Sequence, residues 1–469
     1  MIVAVLILLP LLAAVAVWLL RGRWCRTVLT LTALTQMVLA AWLFCRGNMM
    51  LNIGGLEFGC IDGDIGKWVV MVTSVLFVLV SLHLPAWLSA DEKTSQLRHG
   101  GETGMPGYVL TALVLVFVGT MNLTALARDF GMLWVAVEAT TLASAPLINF
   151  HRSKSSLEAM WKYLLLCSLG IGLALFGTML LSAGMPAGAS LNFDRIAQVD
   201  PQWFKAAFIF CFAGYGLKTG LAPFHSWLPD AHSEAPAPVS ALLSGSLLNC
   251  ALIGMLRIRD AAPEALQGFC NGFFIFFGIF SLVIAACFII GQKDFKRMLA
   301  YSSVEHMGLI ALMFGFMLPE AAKIHMLFHS MCKMMLFLIA GNLVLAYGVR
   351  RVDAVSGLFS RFKYNGKLWM FGVLILCGVV PSPLFFTEWA LVQSAGLLTG
   401  GIILLLLTVV FCAMTDIVIK MCMGKAGEPE LPEADAAAEK LAAVPVMTML
   451  FVLGSGVWFC AQIFMRLIN

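Results

Sequence analysis

Several strongly apolar stretches of this sequence contain a side chain that can ionise. Glu138 lies in GMLWVAVEATTLASA, Lys218 in CFAGYGLKTGLAPFHSW and Glu388 in VVPSPLFFTEWALV. A charged side chain at the middle of a bilayer costs about 3 kcal/mol on insertion scales, so each of these residues needs an explanation. Acids and bases in such positions commonly mark ion pathways. We therefore predict that these three residues take part in ion translocation, most simply of protons.

Three more titratable side chains follow one another at a helical spacing. His325, His329 and Lys333 are each four residues apart, which places them on one face of an α-helix with rises of about 6 Å. One or two water molecules can bridge such a gap, and His exchanges protons near neutral pH. A lone His in a membrane helix is more often a packing residue, but three groups in register favour a proton relay.

Lys218 and Glu138 have opposite charges and lie on predicted helices that are two apart in the sequence. This arrangement predicts a buried pair, for which a purely structural ion pair is the alternative interpretation. In the functional interpretation, a change in the charge of the carboxylate switches the Lys between holding and releasing a proton.

The segments that hold these residues are predicted to be membrane helices. Of the 469 residues, 61% are hydrophobic and 12% are charged, whereas an ordinary soluble domain carries about 25% charged residues. One soluble core cannot bury so much apolar surface, because cores stop growing at roughly 250 to 300 residues. We predict an all-α polytopic membrane protein with about fourteen transmembrane helices of about 20 residues each. The predicted spans are 2–20, 27–45, 68–88, 108–127, 131–150, 163–183, 206–222, 238–256, 272–291, 298–317, 324–347, 369–394, 400–421 and 441–465.

Two of these helices, the seventh and the twelfth, are predicted to be broken beside Lys218 and Glu388. The residues that weaken them are Gly216, Gly220 and Pro223 in the seventh and Pro381 and Pro383 in the twelfth. Broken helices at membrane depth are tolerated where they line an enclosed or hydrated cavity. The breaks are five helices apart, and an odd offset reverses the direction of crossing, so we predict inverted five-helix repeats. The predicted regions are N-terminal helices at 1–107, half-channel repeats at 108–257 and 272–421, and a polar loop with the last helix at 422–469.

The distribution of Lys and Arg predicts the orientation in the membrane. Nineteen of the 30 such residues fall in loops after odd-numbered predicted helices, and nine fall after even-numbered ones. Positive loops stay on the cytoplasmic side, so both termini are predicted to lie outside. Residues 1–20 lack the charged start and cleavage site of a signal peptide and are predicted to remain as the first helix.

The remaining features exclude several functions. The polar stretches 91–105 and 424–440 are too short to fold alone, and the second contains GEPELPEADAAAEK, either a surface helix or a solvated linker. The thirteen Cys residues are scattered singly and are interpreted as packing residues. No basic run indicates nucleic acid. Without a nucleophile elbow, phosphate loop or metal-ligand spacing, we assign this chain no catalytic centre, no metal and no cofactor of its own.

One long stretch closely resembles a known family. YGLKTGLAPFHSWLPDAHSEAPAPVSALLSGSLLN, Tyr215 to Asn249, is similar to the signature of the antiporter-like subunits shared by respiratory complex I, Mrp sodium/proton antiporters and membrane-bound group 4 hydrogenases. EAMWKYLLL, QKDFKRMLAYSSVEHMGLI and HMLFHSMCKMMLF also match this family. The nearest likeness is to the hydrogenase-4 component F type, because Glu305 precedes His306 in AYSSVEHMG.

The resemblance implies roles for individual residues. Glu138 and Lys218 match the coupling pair of the family, and Glu388 matches the terminal charged group of the half-channel. His306 is either a further relay member or a packed polar residue. Auxiliary candidates are Asp129, His225, Asp230, His232, Glu234, Ser244, Asn249 and Glu305. Of these, we expect Asp230, His232 and Glu234 to lie in a loop as gating or capping groups, and His225 is also explained as an interfacial residue near a helix break.

Asn249 departs from the family pattern, because many relatives have a Lys or His in this part of the eighth helix. Asn cannot titrate. A link from Lys218 toward the eleventh helix would therefore need water, Ser244, Ser246 or His306.

Three functions are compatible with the resemblance. The first is a proton-pumping membrane subunit of a group 4 hydrogenase or complex I-like oxidoreductase, in the cytoplasmic (inner) membrane of a bacterium or archaeon. Its partners would be other membrane subunits and a peripheral redox arm that holds the Fe-S clusters and the Ni-Fe or quinone chemistry. The second is an Mrp-type secondary sodium/proton antiporter subunit with small membrane proteins as partners. The third is a structural subunit of a membrane arm, which the neutral Asn249 supports.

Overall fold

We describe a computed structural model of the protein, which covers residues 1–22, 24–54, 56–61, 63–99, 104–186, 190–424 and 432–468. These residues are mostly helical. The helices are α1 (Ile2–Leu20), α2 (Trp24–Cys45), α3 (Ile65–His99), α4 (Gly107–Leu126), α5 (Phe130–Ile148), α6 (Lys154–Ala183), α7 (Pro201–Thr219), α8 (Trp227–Glu234), α9 (Ala237–Leu242), α10 (Leu248–Asp260), α11 (Glu264–Ile289), α12 (Phe295–Gly315), α13 (Pro319–Tyr347), α14 (Leu358–Arg361), α15 (Asn365–Leu376), α16 (Pro383–Ser394), α17 (Gly396–Cys422), α18 (Pro432–Lys440) and α19 (Ala443–Ile468).

The predicted class, an all-α polytopic membrane protein, is confirmed, and twelve helices of the described residues are long and apolar enough to cross a bilayer. α7, which carries two lysines, and the short helices α15 and α16 are not among the twelve. The count of about fourteen, the inverted repeats and the region boundaries therefore stay predictions. The structure adds one small β-hairpin, in which β1 (Met49–Ile53) pairs antiparallel with β2 (Leu56–Cys60).

The helices differ in how far their apolar surface is enclosed by the protein. The apolar window of α12 is 100% buried and that of α13 is 89% buried, but those of α2 and α17 are only 33% and 28% buried. Exposed apolar faces of this size are normally covered by lipid or by another protein, because contact with water is unfavourable. The titratable residues of α12 and α13 thus lie on enclosed helices.

Both predicted helix breaks are present. α7 ends at Thr219 with Gly220 in the left-handed region (φ 80°), and the chain becomes helical again at Trp227. The Trp227 indole N–H donates to Leu217 O at 2.8 Å. At the second break, the Ser382 hydroxyl donates to Ile375 O at 2.7 Å. Leu217 O also accepts from Gly220 N, and Ile375 O also accepts from Gly378 N. Each side chain therefore adds a second hydrogen bond to a carbonyl at the end of an interrupted helix.

Contact clustering divides the chain into two compact units. Unit 1 contains Met1–Ser81, Gly104–Ala235 and Ser246–Phe274, and unit 2 contains Leu82–Thr103, Pro236–Gly245 and Ile275–Asn469. Glu138 and Lys218 belong to unit 1, whereas the residues of α12, α13 and α16 belong to unit 2.

Unit 1 contains a buried ion cluster at the beginning of α3. Asp64, with a fully buried side chain, lies 3.1 Å from Arg128 Nη1 and 2.6 Å from Arg257 Nη2. Arg128 also pairs with the exposed Asp194 at 2.9 Å, and Phe193 lies under Arg257, 4.8 Å from its guanidinium carbon. Arg257, expected in a loop, lies instead on α10. The cluster ties α3 and α10 to the connection between α4 and α5.

In unit 2, the described part of the acidic stretch forms a surface helix, α18. Asp435 accepts two hydrogen bonds from Arg361, at 2.7 and 2.8 Å, and this contact raises the pKa of the guanidinium. Glu439 accepts from Tyr364 N at 2.5 Å, at the N-terminus of α15, where a negative charge is favourable. The solvated-linker alternative is therefore wrong for Pro432–Lys440, and residues 427–431 of this stretch lie outside the described residues.

We expect Asp64→Asn to destabilise the protein strongly, because it removes the only carboxylate paired with Arg257 in the described structure and leaves Arg128 with only the exposed Asp194. Removal of one partner from a buried ion pair costs about 3 to 5 kcal/mol. The unfolding midpoint of the purified protein in nanodiscs should fall by several degrees. Asp194→Asn is the matched control, because this side chain is 68% exposed; equal shifts for the two variants would contradict a structural role for the buried cluster.

Candidate functional site

Lys218 is fully buried in unit 1 and is held by neutral oxygen atoms of α5. Its ammonium donates to Val137 O at 2.8 Å and to Thr141 Oγ1. Thr141 Oγ1 in turn lies 3.2 Å from Glu138 Oε2, whose other oxygen accepts from Ser168 at 2.9 Å. The predicted pair of Lys218 and Glu138 is therefore joined through one hydroxyl group rather than by direct contact within the described residues.

Lys333 of unit 2 has a closely similar environment. It is fully buried, and it donates to Leu299 O at 2.5 Å and to Ser302 Oγ, both on α12. Glu305 lies three residues after Ser302 and is 5% exposed. Each buried Lys thus contacts one carbonyl and one hydroxyl, with a Glu three residues from that hydroxyl.

The two acceptors around each Lys match the number of N–H groups on an uncharged amine. An ammonium group has three donors, so its third proton has no acceptor among the described protein atoms. The same contacts therefore serve both protonation states of Lys218 and of Lys333. This arrangement suits groups that gain and lose a proton without rearrangement of their neighbours.

Three histidine rings of unit 2 lie together between α12 and α13. His306 Nδ1 is 3.0 Å from His325 Nε2, and the rings of His306 and His329 have centroids 4.9 Å apart. His325 and His329 are 6.5 Å apart, as the helical spacing predicts. Neither ring nitrogen of the buried His329 has a protein hydrogen-bond partner in the described part of the chain, so both are available to water. His306, on the other helix, bridges the two predicted relay residues.

Glu388 lies beside this histidine cluster at the beginning of α16. One oxygen of Glu388 and one nitrogen each of His306 and His325 lie within 4.8 Å of one another. This spacing could accommodate a metal ion, but a metal bound to His325 would have to displace one of the two hydrogen bonds that its ring nitrogens make, to His306 or to Thr387. Glu388 also borders a cavity of about 200 Å³, lined by residues of α16 and α17 together with Cys377 and Gly378. Glu388 thus lies close to the histidines and also lines the cavity.

The eighth predicted helix contains a π-helical turn at Leu243–Leu247, between α9 and α10. In unit 2, Ser244 Oγ shares a hydrogen bond with Ser303 Oγ at 2.9 Å. In unit 1, Ser246 is buried without a hydrogen-bond partner among the described residues, and Asn249 is 1% exposed. Such π turns are frequent at functional sites. The link from Lys218 to α13 stays a prediction.

The remaining auxiliary candidates have other contacts. Asp129 caps α5, since its side chain accepts from Gly131 N and Met132 N. The prediction of a loop for Asp230, His232 and Glu234 is wrong, because these residues form α8. Proline is tolerated in the first turn of a helix, and Pro229 is the third residue of α8, so it does not prevent helix formation.

The side chains of α8 make surface contacts and packing contacts. Asp230 pairs with Lys162 at 3.3 Å, and Glu234 accepts from Ser155 at 3.0 Å. His232 is fully buried, whereas His225 is half-buried in the segment before α8.

Sequence reasoning missed the hydroxyl groups that contact the titratable residues, namely Thr141 beside Lys218, Ser302 beside Lys333 and Thr387 beside His325. Thr141, Ser302 and Thr387 attract no attention in apolar helices, because a hydroxyl costs little there. A usable signal is a Ser or Thr three residues from a membrane-embedded Glu, as in Glu138–Thr141 and Ser302–Glu305. His83, a buried His on α3, was also missed.

We expect Gly378→Ala to displace the Glu388 carboxyl group, because a Cβ at this position would overlap Glu388 Oε2. Gly378 also has a positive φ of 70°, which costs Ala about 1 to 2 kcal/mol. Displacement toward the cavity should raise the labelling of Glu388 by a hydrophobic carbodiimide at least twofold, as measured by mass spectrometry. Gly396→Ala is the control, with a φ of 76° and nothing within 4 Å of the added Cβ. Equal labelling of both variants would argue against this packing.

Comparisons with known proteins agree with this architecture. Residues 127–415 match the family described as NADH:quinone oxidoreductase/Mrp antiporter, transmembrane. The hydrogenase-4 component F homolog of Methylacidiphilum infernorum is 35% identical over 354 residues, which are 72% of this chain and 73% of that protein. NADH-quinone oxidoreductase subunit N of Desulforudis audaxviator is 29% identical, over 71% of this chain and 68% of that protein.

Two solved structures share the fold at low sequence identity. A chain of the membrane-bound sulfane sulfur reductase, an archaeal respiratory membrane complex, has a TM-score of 0.85 and 22% identity, over 98% of this chain and 95% of that chain. A chain of the Mrp complex from Dietzia sp. DQ12-45-1b has a TM-score of 0.83 and 19% identity, over 97% and 95% of the two chains. By its family match, its relatives and its fold, this chain belongs to the NADH:quinone oxidoreductase/Mrp antiporter family of antiporter-like membrane subunits.

Proposed function

We propose that this chain translocates protons, as the antiporter-like membrane subunit of a complex that is driven by a redox reaction in its partner subunits. The names of its relatives, a hydrogenase-4 component and a subunit of an NADH-quinone oxidoreductase, support a redox-driven complex. The solved chains with the same fold belong to a respiratory membrane complex and to an Mrp complex. A hydrogenase or a complex I-like enzyme is therefore the proposed setting.

The observation that carries this proposal is the environment of the two buried lysines. A structural ion pair brings nitrogen and carboxylate oxygen into direct contact, as Arg128 and Asp64 do at 3.1 Å. Lys218 and Lys333 instead contact neutral oxygens in the described structure. A buried cation without a direct counterion is costly, so retention of a Lys in this environment favours a transport role over a structural one.

In unit 1, we assign coupling to Lys218, Thr141 and Glu138. A change in the charge of Glu138 alters the free energy of the protonated Lys218 through one hydroxyl group, at a distance where electrostatic interactions in a low dielectric are strong. The hydroxyl can also reverse its hydrogen bond as the Lys changes its charge. A change in the charge of Glu138 can thus drive proton release from Lys218.

In unit 2, we assign proton transfer to Lys333, the three histidines and Glu388, with Glu305 as the carboxylate that biases Lys333. The hydrogen bond between His306 and His325 and the 4.9 Å separation of the rings of His306 and His329 support transfer along this cluster. Glu388 is the proposed exit group, and the cavity beside it is the proposed route of release.

The proposal includes a location and partners. Both termini lie outside in the cytoplasmic membrane of a bacterium or archaeon, with the positively charged loops inside. Other membrane subunits adjoin the chain, and a peripheral arm holds the Fe-S clusters and the Ni-Fe or quinone chemistry.

We expect Lys218→Ala and Glu138→Ala each to lower the rate of proton pumping at least tenfold, because each removes one member of the coupling pair. The measurement is acidification of inverted vesicles that contain the chain with its copurifying proteins, after the reductant of that complex is added. Lys205→Ala is the matched control, since Lys205 is an exposed lysine of the same helix. Normal acidification by a correctly assembled Lys218→Ala complex would contradict the coupling role.

We further expect a tag on this chain to recover a protein with Fe-S clusters or Ni-Fe chemistry, identified by mass spectrometry and metal analysis. The rate of acidification should change by less than half when sodium is replaced by choline, because protons are the proposed cargo. Recovery of small membrane proteins alone, with sodium-dependent transport, would favour the Mrp-type antiporter instead.

A further inference from the structure

We propose that Thr387 is a positioning residue that holds a proton on Nδ1 of His325, so that Nε2 is the nitrogen that exchanges protons. Thr387 immediately precedes Glu388 on α16, and its hydroxyl group contacts both the backbone and the histidine. No function is otherwise assigned to this residue.

The positions of the hydrogen atoms follow from two distances. Thr387 Oγ1 lies 2.8 Å from Leu384 O and 2.8 Å from His325 Nδ1. A carbonyl oxygen can only accept, so the single hydroxyl proton lies toward Leu384 O. If the hydroxyl proton pointed elsewhere, lone pairs of Thr387 Oγ1 and Leu384 O would face each other at hydrogen-bond distance. Thr387 Oγ1 therefore accepts from His325, and Nδ1 of this ring carries a hydrogen.

The tautomer of His325 then determines that of His306. A neutral imidazole has one donor and one acceptor nitrogen, so His325 Nε2 is the acceptor. The 3.0 Å contact between His325 Nε2 and His306 Nδ1 thus contains a proton that belongs to His306. The other nitrogen of His306 faces the backbone of Leu376, whose carbonyl accepts from this ring when both of its nitrogens carry a hydrogen.

This assignment gives the pair a direction. A proton that binds His306 Nε2 makes that ring cationic. The N–H bond at His306 Nδ1 then breaks as an N–H bond forms at His325 Nε2. From this ring, one nitrogen of which lies within 4.8 Å of a Glu388 oxygen, the proton passes to the carboxylate of Glu388, which becomes a neutral acid. Throughout this sequence the Nδ1 proton of His325 stays on its hydrogen bond to Thr387. The transfer leaves His306 neutral with its hydrogen on Nε2, so His306 must return this hydrogen to Nδ1 before the next transfer.

Loss of the hydroxyl group removes this constraint. His325 can then hold its proton on Nε2, which occupies the nitrogen that must accept from His306. One hydrogen bond of this kind corresponds to roughly a fivefold population bias between the two tautomers. We therefore expect Thr387→Val to slow proton transfer by at most roughly fivefold, whereas Thr387→Ser, which keeps the hydroxyl, restores it.

Because the transport role of His325 rests on the proposed function, the test measures tautomer and transport separately. Solid-state NMR of protein labelled with ¹⁵N-histidine, with the His325 signal assigned by its loss in His325→Gln, should show a protonated Nδ1 and a bare Nε2. In Thr387→Val, the protonated Nε2 form should gain population. Thr448→Val is the matched control, because Thr448 is a buried threonine of unit 2 that donates to Val444 O at 3.0 Å and lies on α19.

The acidification assay completes the test on complexes whose assembly is verified by size-exclusion chromatography. Thr387→Val should be slowed, and Thr387→Ser and Thr448→Val should match the unmodified protein. A bare Nδ1 on His325 in the unmodified protein would overturn the assignment. Full activity of Thr387→Val, with Lys218→Ala inactive, would overturn the positioning role alone. If Lys218→Ala is also active, the proposed function fails, while the NMR result still decides the tautomer.

Discussion

The ammonium groups of Lys218 and Lys333 are buried in apolar helices, and neutral oxygen atoms are their contacts. A charge in such a place must be solvated by fixed protein dipoles, because bulk water is absent. A carbonyl and a hydroxyl supply this solvation on each Lys. These two acceptors satisfy both N–H groups of a neutral amine but only two of the three N–H groups of an ammonium. The proton is therefore held without a permanent counterion.

The contrast with the ion cluster around Asp64 explains how one chain uses charge in two ways. Arg128 and Arg257 contact Asp64 directly, and such contacts are expensive to break once formed. Lys218 and Glu138 are one hydroxyl apart, so their interaction changes with protonation while the helices stay in place. Direct pairs therefore join the helices of unit 1, and the hydroxyl-bridged pair of the same unit is suited to transfer.

The helical backbone is interrupted close to two of the titratable side chains. α7 ends one residue after Lys218, and α16 begins five residues before Glu388. One carbonyl at each break accepts an additional hydrogen bond, from the side chain of Trp227 at the first break and of Ser382 at the second. Compensation of this kind allows a break at membrane depth, and it brings polar backbone groups near the titratable residues.

Most of the helices and most of the candidate residues were predictable from the amino-acid sequence alone. Apolar runs of about 20 residues have one stable form in lipid, the helix, and a buried ionisable residue is rare enough to be conspicuous. Glycines and prolines beside Lys218 and Glu388 likewise mark breaks by their covalent structure. The four-residue spacing of His325, His329 and Lys333 is a property of the helix itself, and the structure places all three on α13.

Only the tertiary structure decided which groups touch. The insertion of Thr141 between Lys218 and Glu138, the contact of His306 with His325, and the hydrogen bond from His325 to Thr387 each join different helices. Helical periodicity predicts the face of a residue on its own helix, but not the rotation of the neighbouring helix or the hydroxyl that reaches across. Opposite charges attract at any separation, so the sequence predicted a pair, and packing determined that a hydroxyl group stands between them.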